Sequence, residues 1–158
     1  MRKFEKISFE QFKKDIKDDI ELYNSYNIPK RSTKYSAGYD FEAIESFVLK
    51  PGEIIKIASG IKADMNSNEV LFLLVRSSQG FKYNVRLCNQ VGVIDKDYYN
   101  NPDNEGHIFI KLKNEGDKEY VVNKGDKICQ GIFINYLTTD DEEKVVKERT
   151  SGIGSTGK

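Results

Sequence analysis

Apolar residues recur in the first part of this chain at spacings of three and four positions. This pattern is typical of one face of an amphipathic helix whose opposite face is charged. The residues of the apolar face are Phe9, Phe12, Ile16, Ile20 and Tyr23. Ser8 and Gln11 match the S-x-x-Q capping box that begins many helices. The pattern predicts one helix over residues 8–23, which docks on the body of the domain or contacts a partner.

From residue 28 onward, short apolar runs alternate with turn residues such as Gly, Asn, Asp and Pro. The predicted strands are residues 47–49, 53–57, 70–75, 85–88, 107–113, 119–122 and 128–136. Many short strands spaced about ten residues apart are typical of a β-sandwich or barrel. No second helical pattern is long enough for a βαβ unit, so we expect an all-β domain with one N-terminal helix.

Composition limits the partners and the compartment. The 158 residues suit one domain, and 25 basic residues balance 25 acidic ones, which gives no overall charge for nucleic acid or an anionic membrane. No apolar run approaches the ~18 residues of a membrane helix, and the N-terminus lacks an apolar signal region. Two cysteines in apolar runs and one histidine, His107, predict neither a disulfide framework nor a zinc site. We therefore expect a cytoplasmic protein with no nucleic-acid or membrane partner.

The stretch 89–98 carries the clearest candidate chemistry. Strand-like apolar residues lead into Asp95, and the ring of Tyr98 follows three residues later. A carboxylate at such a site can act as a general base on water, and an aromatic ring can support a sugar. On its own, Asp95 is also explained as a turn residue, since Asp suits turns.

Other polar segments suit a phosphorylated ligand and its metal ion. Arg76, Ser77 and Ser78 end an apolar run and can form a phosphate cradle. Gln130 can bind phosphate or water, and Asp40 can contact a hydrated Mg²⁺. Taken alone, the Arg76 segment and Asp40 are also explained as turn residues, and Gln130 as an edge-strand residue.

The glycine-rich C-terminal segment offers donors of the same kind. Arg149, Ser155 and Thr156, together with the N–H groups of neighbouring glycines, suit phosphate oxygens. A polar, disordered tail is the alternative interpretation of this segment.

Taken in order, these segments resemble the five motifs of the trimeric dUTPase family, of phage or low-GC bacterial type. The matching segments are residues 37–41, 76–78, 89–98, 125–130 and 149–157. The third segment and the Gly-Ser-Thr-Gly ending are the most specific. The resemblance covers residues 28–158.

The resemblance implies a distorted jelly-roll (dUTPase-like β-clip) subunit with an added N-terminal helix, and a homotrimer with active sites at its subunit interfaces. It divides the chain into a helical extension (1–27), a jelly-roll domain (28–137) and a C-terminal arm with a lid (138–158). The implied reaction is Mg²⁺-dependent hydrolysis of dUTP to dUMP and pyrophosphate. For a phage-encoded chain, the compartment is the host cytoplasm.

The resemblance also implies a role for each candidate residue. Asp95 activates the water that attacks the α-phosphorus, Tyr98 packs on the deoxyribose, and Asp40 orients water on the metal. The residues implied in reading uracil are Asn89, Gly92, Val93 and Ile94. Those implied in holding phosphates are Arg76, Ser77, Ser78 and Gln130. The lid, which closes from another subunit, contributes Arg149, Ile153, Gly154, Ser155 and Thr156.

The chain departs from the family pattern at Val75, Ser78, Thr150 and Ile153. Ile153 stands where a Phe usually stacks on uracil; it can cover the base but loses about 0.5–1.5 kcal/mol of aromatic stacking. Residues 99–105 look like an insertion with the composition of an exposed loop. This loop is a candidate contact for a regulatory protein partner.

The sequence is also compatible with two other functions. The first is a dCTP deaminase-type enzyme, whose family shares the fold; the order of Asp95 and Tyr98 argues against it. The second is a regulatory protein in which nucleotide binding switches contact with a partner, through the 99–105 loop or the N-terminal helix.

Overall fold

The computed structural model describes residues 1–154, in which strands dominate. The strands are β1 (Lys3–Lys6), β2 (Lys30–Arg31), β3 (Tyr39–Glu42), β4 (Phe47–Leu49), β5 (Ile54–Ala58), β6 (Ile61–Asp64), β7 (Glu69–Leu74), β8 (Val85–Leu87), β9 (Gly92–Ile94), β10 (Phe109–Asn114), β11 (Tyr120–Val122) and β12 (Lys127–Asn135). The helices are α1 (Phe9–Asp15), α2 (Ile20–Ser25) and α3 (Ser77–Tyr83), and a 3-10 turn spans Lys96–Tyr98. The predicted all-β fold class is confirmed.

Antiparallel pairing organises these strands into four sheets. The largest sheet has the order β2-β3-β12-β7-β9, and a second has the order β5-β10-β8. Two further pairs, β1-β6 and β11-β4, complete the described part of the fold. β12 is central, because it pairs with β3 on one side and with β7 on the other.

The register of the largest sheet decides which side chains share a face. Gln130 on β12 is opposite both Asp40 on β3 and Leu74 on β7. Leu73, one residue earlier on β7, is opposite Gly92 on β9. Successive side chains of a strand point to opposite faces. Asp40 and Gln130 therefore lie on one face of this sheet, and Leu73 and Gly92 lie on the other.

The hydrophobic core receives side chains from every sheet. On β10, the buried residues Ile110 and Leu112 alternate with the lysines Lys111 and Lys113, as expected for a strand with one face in the core. Each fully buried aliphatic side chain of this size contributes about 1.5–3 kcal/mol. No helix within residues 1–154 is long and apolar enough to cross a membrane.

The N-terminal helical segment differs from the prediction: it forms two short helices and not one. Ser8 caps α1 and accepts the Gln11 N–H, as predicted, but this helix ends at Asp15. Asp19 then accepts the Leu22 N–H and begins α2, so its carboxylate favours a new helix start over continuation. Ile20 is 50% exposed as a result, although the single-helix pattern predicts that it is buried.

The N-terminal segment is nevertheless joined closely to the β-domain. β1 pairs with β6, and the ring of Phe12 on α1 is fully buried. Phe4 packs against Phe41 and Phe133, whose ring centroids lie 5.6 and 5.1 Å away. The first residues of the chain therefore belong to the same core as the sheets.

Glu69 is expected to make the stability of this fold depend on acid pH. Its buried carboxylate pairs with the Arg2 guanidinium and accepts the Asn66 N–H, contacts that lower the pKa of Glu69 from 4.5 to about 2. A lowered pKa in the folded state stabilises the protein above the ordinary pKa, and this stabilisation is lost as the pH falls toward about 2. The difference in free energy of unfolding between the wild type and Glu69→Gln should therefore shrink as the pH falls from about 5 to about 3. Urea unfolding at several pH values measures it; a difference that does not change with pH would contradict the assignment.

Candidate active site

Asp95 lies at the edge of a cavity of about 270 Å³, which we call the Asp95 cavity. Its lining residues are Leu73, Asn89, Gly92, Val93, Ile94, Asp95, Tyr98, Phe109, Arg149, Ile153 and Gly154. Every residue that the sequence predicts for the base, the sugar and the catalytic water is among them. The cavity also contains the described part of the predicted lid.

Local backbone geometry explains why the Asp95 side chain is available for chemistry. β9 ends at Ile94, and Asp95 follows in an extended conformation as the first residue of a 3-10 turn. Its carboxylate makes no capping hydrogen bond to that turn, and its side chain is 52% exposed. The turn then brings Tyr98 back, so that the Tyr98 N–H donates to the Asp95 carbonyl at 3.1 Å. The carboxylate and the ring thereby line the same cavity.

Tyr98 is fixed from behind by its hydroxyl group. This hydroxyl donates to the His107 carbonyl at 2.7 Å and accepts from the Asn104 amide at 3.0 Å. Burial raises the pKa of Tyr98, so the hydroxyl stays protonated and keeps its role as donor. The ring is 5% exposed and lines the cavity as a fixed wall.

His107 supports this wall from the core. Its Nε2 accepts the Gly60 N–H at 2.9 Å, so the neutral ring carries its proton on Nδ1, which lies 2.6 Å from the Asp15 carboxylate on α1. Burial lowers the pKa of His107, an effect that the Asp15 carboxylate opposes. The only histidine of the chain is therefore a structural support, and its position within an apolar run was the one sequence signal for that role.

The C-terminal arm lies over the Asp95 cavity. The Arg149 guanidinium is 3.0 Å from the Asp95 carboxylate and 3.1 Å from that of Asp97, and it lies 5.7 Å from the centre of the Tyr98 ring. Ile153 is 76% exposed at the cavity rim. This arm lies against its own chain's Asp95, whereas the resemblance implies closure from another subunit. Two of the predicted lid residues, Ser155 and Thr156, lie outside the described residues.

The predicted phosphate-binding residues line a second cavity of about 340 Å³, which we call the Arg76 cavity. Its lining residues are Ser32, Ser36, Gly38, Asp40, Arg76, Ser77, Ser78 and Gln130. Arg76 follows β7 after one intervening residue, Val75, and its N–H donates to Gln79, which fixes the turn into α3. A Cβ atom on Gly38 would lie 2.1 Å from the Gln130 side-chain oxygen, so a larger residue there would displace this amide from its present position.

Among residues 1–154, no residue lines both cavities. Asp40 and Gln130 of the Arg76 cavity lie on one face of the largest sheet, and Leu73 and Gly92 of the Asp95 cavity lie on the other. One chain thus separates its candidate catalytic carboxylate from its candidate phosphate-binding residues. The sequence motifs predicted both groups but not their separation, which depends on strand register.

The Arg76 cavity can accommodate Mg²⁺ only if most ligands of the ion come from phosphate and water. Asp40 is its carboxylate, and it already pairs with Arg76 at 3.0 Å and with Lys127 at 3.2 Å. In the described part of the chain, no group of three or more His, Cys, Asp or Glu side chains could hold a metal ion. Mg²⁺ prefers substrate phosphates and water together with one or two carboxylates. The donors fit a Mg²⁺ ion that the phosphates and water hold, with Asp40 bound to that water.

The loop at residues 99–105 is not the freely exposed loop that its composition predicts. Asn101 is 4% exposed, and its side-chain oxygen accepts the N–H groups of Asp103 and Asn104 at 3.0 and 3.1 Å. Glu105 accepts the Ser8 N–H at the start of α1 at 3.0 Å. The side-chain amides and carboxylates of the loop mainly form hydrogen bonds within the protein, because the loop folds back on itself and on the N-terminal segment.

Comparison with known proteins gives a consistent result. A family model described as dUTPase matches residues 24–157. The deoxyuridine 5′-triphosphate nucleotidohydrolase of Lactococcus lactis is 54% identical over 132 residues, which are 83% of this chain and 88% of that protein. The crystal structure of a dUTPase from Streptococcus mutans matches with a TM-score of 0.69 and 42% identity, over 87% of this chain and 98% of that one.

A more distant structure shares the fold alone. A variant dUTPase from phage phi11 of S. aureus matches with a TM-score of 0.67 and 21% identity, over 93% of this chain and 97% of that one. That protein coordinates a structural Mg(II) ion. These likenesses confirm the predicted fold for the chain described above.

Proposed function

This chain belongs to the dUTPase family and hydrolyses dUTP to dUMP and pyrophosphate, and we propose that Asp95 is the general base of that reaction. One observation carries the assignment of the base. Asp95 is a half-exposed carboxylate that makes no bond to its own turn, and it shares a cavity with Asn89 and Tyr98. A carboxylate within one hydrogen bond of water is sufficient for base catalysis.

The proposed chemical step is a single displacement at the α-phosphorus. Asp95 accepts a proton from water as the water oxygen forms a bond to phosphorus. The bond from that phosphorus to the bridging oxygen breaks, and pyrophosphate leaves with the electron pair. Because phosphoryl transfer depends on alignment and on neutralising charge, the remaining residues act mainly by positioning.

Selection of the nucleoside is assigned to the Asp95 cavity. Asn89 and the backbone of β9 present fixed donors and acceptors to the edge of uracil, and a mismatched base would leave some of them unpaired at considerable cost. The wall formed by Tyr98 packs against the deoxyribose and leaves no room for a 2′-hydroxyl. Ile153 covers the base by aliphatic contact.

The triphosphate chain is assigned to Arg76, Ser77, Ser78 and Gln130. Because these residues lie in the other cavity, a second copy of the chain is the natural source of the phosphate-binding residues for each Asp95. This separation supports a homotrimer whose sites form between subunits. Closed cyclic symmetry lets each subunit give one group of residues and receive the other.

Magnesium is proposed as the cofactor. When bound, Mg²⁺ neutralises charge on the phosphate oxygens. Asp40 would orient a water on the ion, while Arg76 and Lys127 hold the Asp40 carboxylate in place. The regulatory partner of the 99–105 loop and the cytoplasmic location stay predictions.

Pyrophosphate release from dUTP tests the proposed function. Purified protein is expected to release pyrophosphate from dUTP with Mg²⁺, to lose most of this activity in excess EDTA, and to regain it when Mg²⁺ is restored, because the triphosphate would otherwise keep its charge. Coupled detection of pyrophosphate measures this, with UTP and dCTP as competing substrates. Equal release from UTP would contradict the role of Tyr98. Ammonia release from dCTP would favour a deaminase-type enzyme instead.

A further inference from the structure

We propose that α1, which precedes the residues matched by the family model, positions the Tyr98 ring and so increases selectivity for deoxyribose over ribose. The two ends of α1 bind Glu105 and His107, which flank a glycine that packs against Tyr98. The proposal rests on the proposed role of Tyr98 as the surface that contacts the sugar. It makes Asp15, the last residue of α1, a positioning residue for the reaction.

The position of Tyr98 depends on one short segment of the chain, residues 104–107. The Tyr98 hydroxyl accepts from the Asn104 amide and donates to the His107 carbonyl. Gly106 has a φ of +83°, and a Cβ atom on it would lie 2.6 Å from the Tyr98 carbonyl oxygen, so glycine is required here. The ring and the backbone of Tyr98 are therefore both held by these four residues.

The beginning of α1 binds this segment through Glu105. The Glu105 carboxylate accepts the Ser8 N–H at 3.0 Å and also accepts the Ser8 hydroxyl. The oxygen of that hydroxyl accepts the Gln11 N–H and thereby caps α1. The first turn of the helix and the segment that holds Tyr98 are consequently joined through one side chain.

The end of α1 binds the same segment through His107. Asp15 accepts the Nδ1–H of His107 at 2.6 Å, and the Gln11 amide donates to the same Asp15 oxygen at 2.9 Å. The His107 ring is fully buried, whereas 20% of the Asp15 side chain is exposed. A buried donor without its acceptor is more costly than an average hydrogen bond is stabilising. The position of His107 is therefore tied to that of α1.

These two contacts give α1 an influence on the sugar without any contact with the ligand. A 2′-hydroxyl fits beside the Tyr98 ring only if the ring moves back. Because the hydroxyl of the ring is bonded to residues 104–107, the ring moves back only if that segment moves with it. The bonds from Ser8 and Asp15 oppose this movement, as supporting contacts do when they fix a residue that binds ligand.

The ratio of kcat/KM for dUTP to kcat/KM for UTP tests the proposal. In Asp15→Ala this ratio should fall about fivefold, because a less restrained Tyr98 ring accepts the 2′-hydroxyl more readily. Asp15→Asn keeps a side-chain oxygen that can accept the His107 N–H, so it should restore most of the selectivity. Asp18→Ala removes an exposed carboxylate three residues further along and is the matched control, with the ratio of the wild type.

Glu105→Ala tests the contact at the other end of α1. It should lower the same ratio, and Glu105→Gln should recover most of it, because an amide oxygen can still accept the Ser8 N–H. If Asp15→Ala does not fold, this pair of variants still tests the proposal. A loss of folded protein lowers both kcat/KM values together and leaves their ratio unchanged, so the ratio distinguishes positioning from a purely structural role.

A second measurement needs no substrate. Amide hydrogen exchange of the ligand-free protein, measured by mass spectrometry on peptides that contain residues 98–107, should be about tenfold faster in Asp15→Ala than in the wild type or Asp18→Ala. Unchanged exchange would overturn the proposal, because α1 would then not hold the segment. Faster exchange with an unchanged ratio would also overturn it, because the segment would then have no effect on sugar selection.

Failure of this proposal is distinguishable from failure of the proposed site. A wild type that hydrolyses dUTP and UTP equally well would contradict the role of Tyr98, and selection by α1 would fail with it. A selective wild type whose selectivity is unchanged in both Asp15→Ala and Glu105→Ala would overturn only the role of α1.

Discussion

Asp95→Asn is expected to lower kcat for dUTP hydrolysis by about 10²–10⁴-fold, because the amide cannot accept the proton of the attacking water. The side chain keeps its size, and Asn89, Tyr98 and the backbone of β9 are unchanged, so the KM for dUTP should change much less. Single-turnover measurement of pyrophosphate release would separate the chemical step from binding. The melting temperature should stay near that of the wild type, since this side chain is half exposed and caps nothing.

Substitutions at two other carboxylates, Asp97 and Asp117, make this result interpretable. Asp97→Asn removes only a contact with Arg149 and should have a smaller effect, expressed mainly in KM. Asp117→Asn makes the same change of charge at an exposed residue that lines neither cavity, and it should have no effect. Undiminished kcat in Asp95→Asn would contradict its role as the base, whatever the effect of the other two.

Arg76→Ala is expected to lower kcat/KM by about 10²–10³-fold, because a fixed cation is removed from the proposed path of the triphosphate. Arg76→Lys should recover part of this loss, since an ammonium keeps the charge but not the planar fork of the guanidinium. Arg86→Ala is the matched control; Arg86 pairs with Glu115 and lines neither cavity. Steady-state kinetics with dUTP measure all three. A loss in Arg86→Ala as large as that in Arg76→Ala would mean that charge removal alone is responsible.

Mixing the two inactive variants distinguishes a shared site from a site within one chain. If each site takes Asp95 from one subunit and Arg76 from another, refolding equal amounts of Asp95→Asn and Arg76→Ala together should restore roughly one quarter of the wild-type sites. Mass spectrometry would verify that mixed oligomers form. Mixed oligomers without activity would contradict the shared arrangement.

The sequence predicted strands correctly where short apolar runs are separated by turn-forming residues. The segment 47–49 coincides with β4, and the segment 85–88 contains β8. β1 was missed because three of its four residues are charged and only Phe4 enters the core. α3 was missed because it is short, contains Gly80 and leaves Phe81 92% exposed, so that it has no apolar stripe.

The sequence predicted the candidate site only where its residues lie close together along the chain. Asp95 and Tyr98 are three residues apart, and a single turn brings them together. The contacts that support them join distant parts of the chain: Asp103 to Gly152 over 49 positions, and Asp15 to His107 over 92. No spacing or periodicity encodes such pairs, because they depend on packing and strand register.

The order in which this chain can fold follows from the position of its first residues. α1 and α2 have seven and six residues, below the ~12–15 that an isolated helix needs in water. Some partners of this segment are synthesised late, since Ser8 binds Glu105, 97 residues further on, and Asp15 binds His107. Non-local contacts of this kind slow folding. The residues that leave the ribosome first consequently complete their contacts late, and until Phe133 is synthesised one aromatic face of Phe4 is open to any chaperone that binds apolar chain.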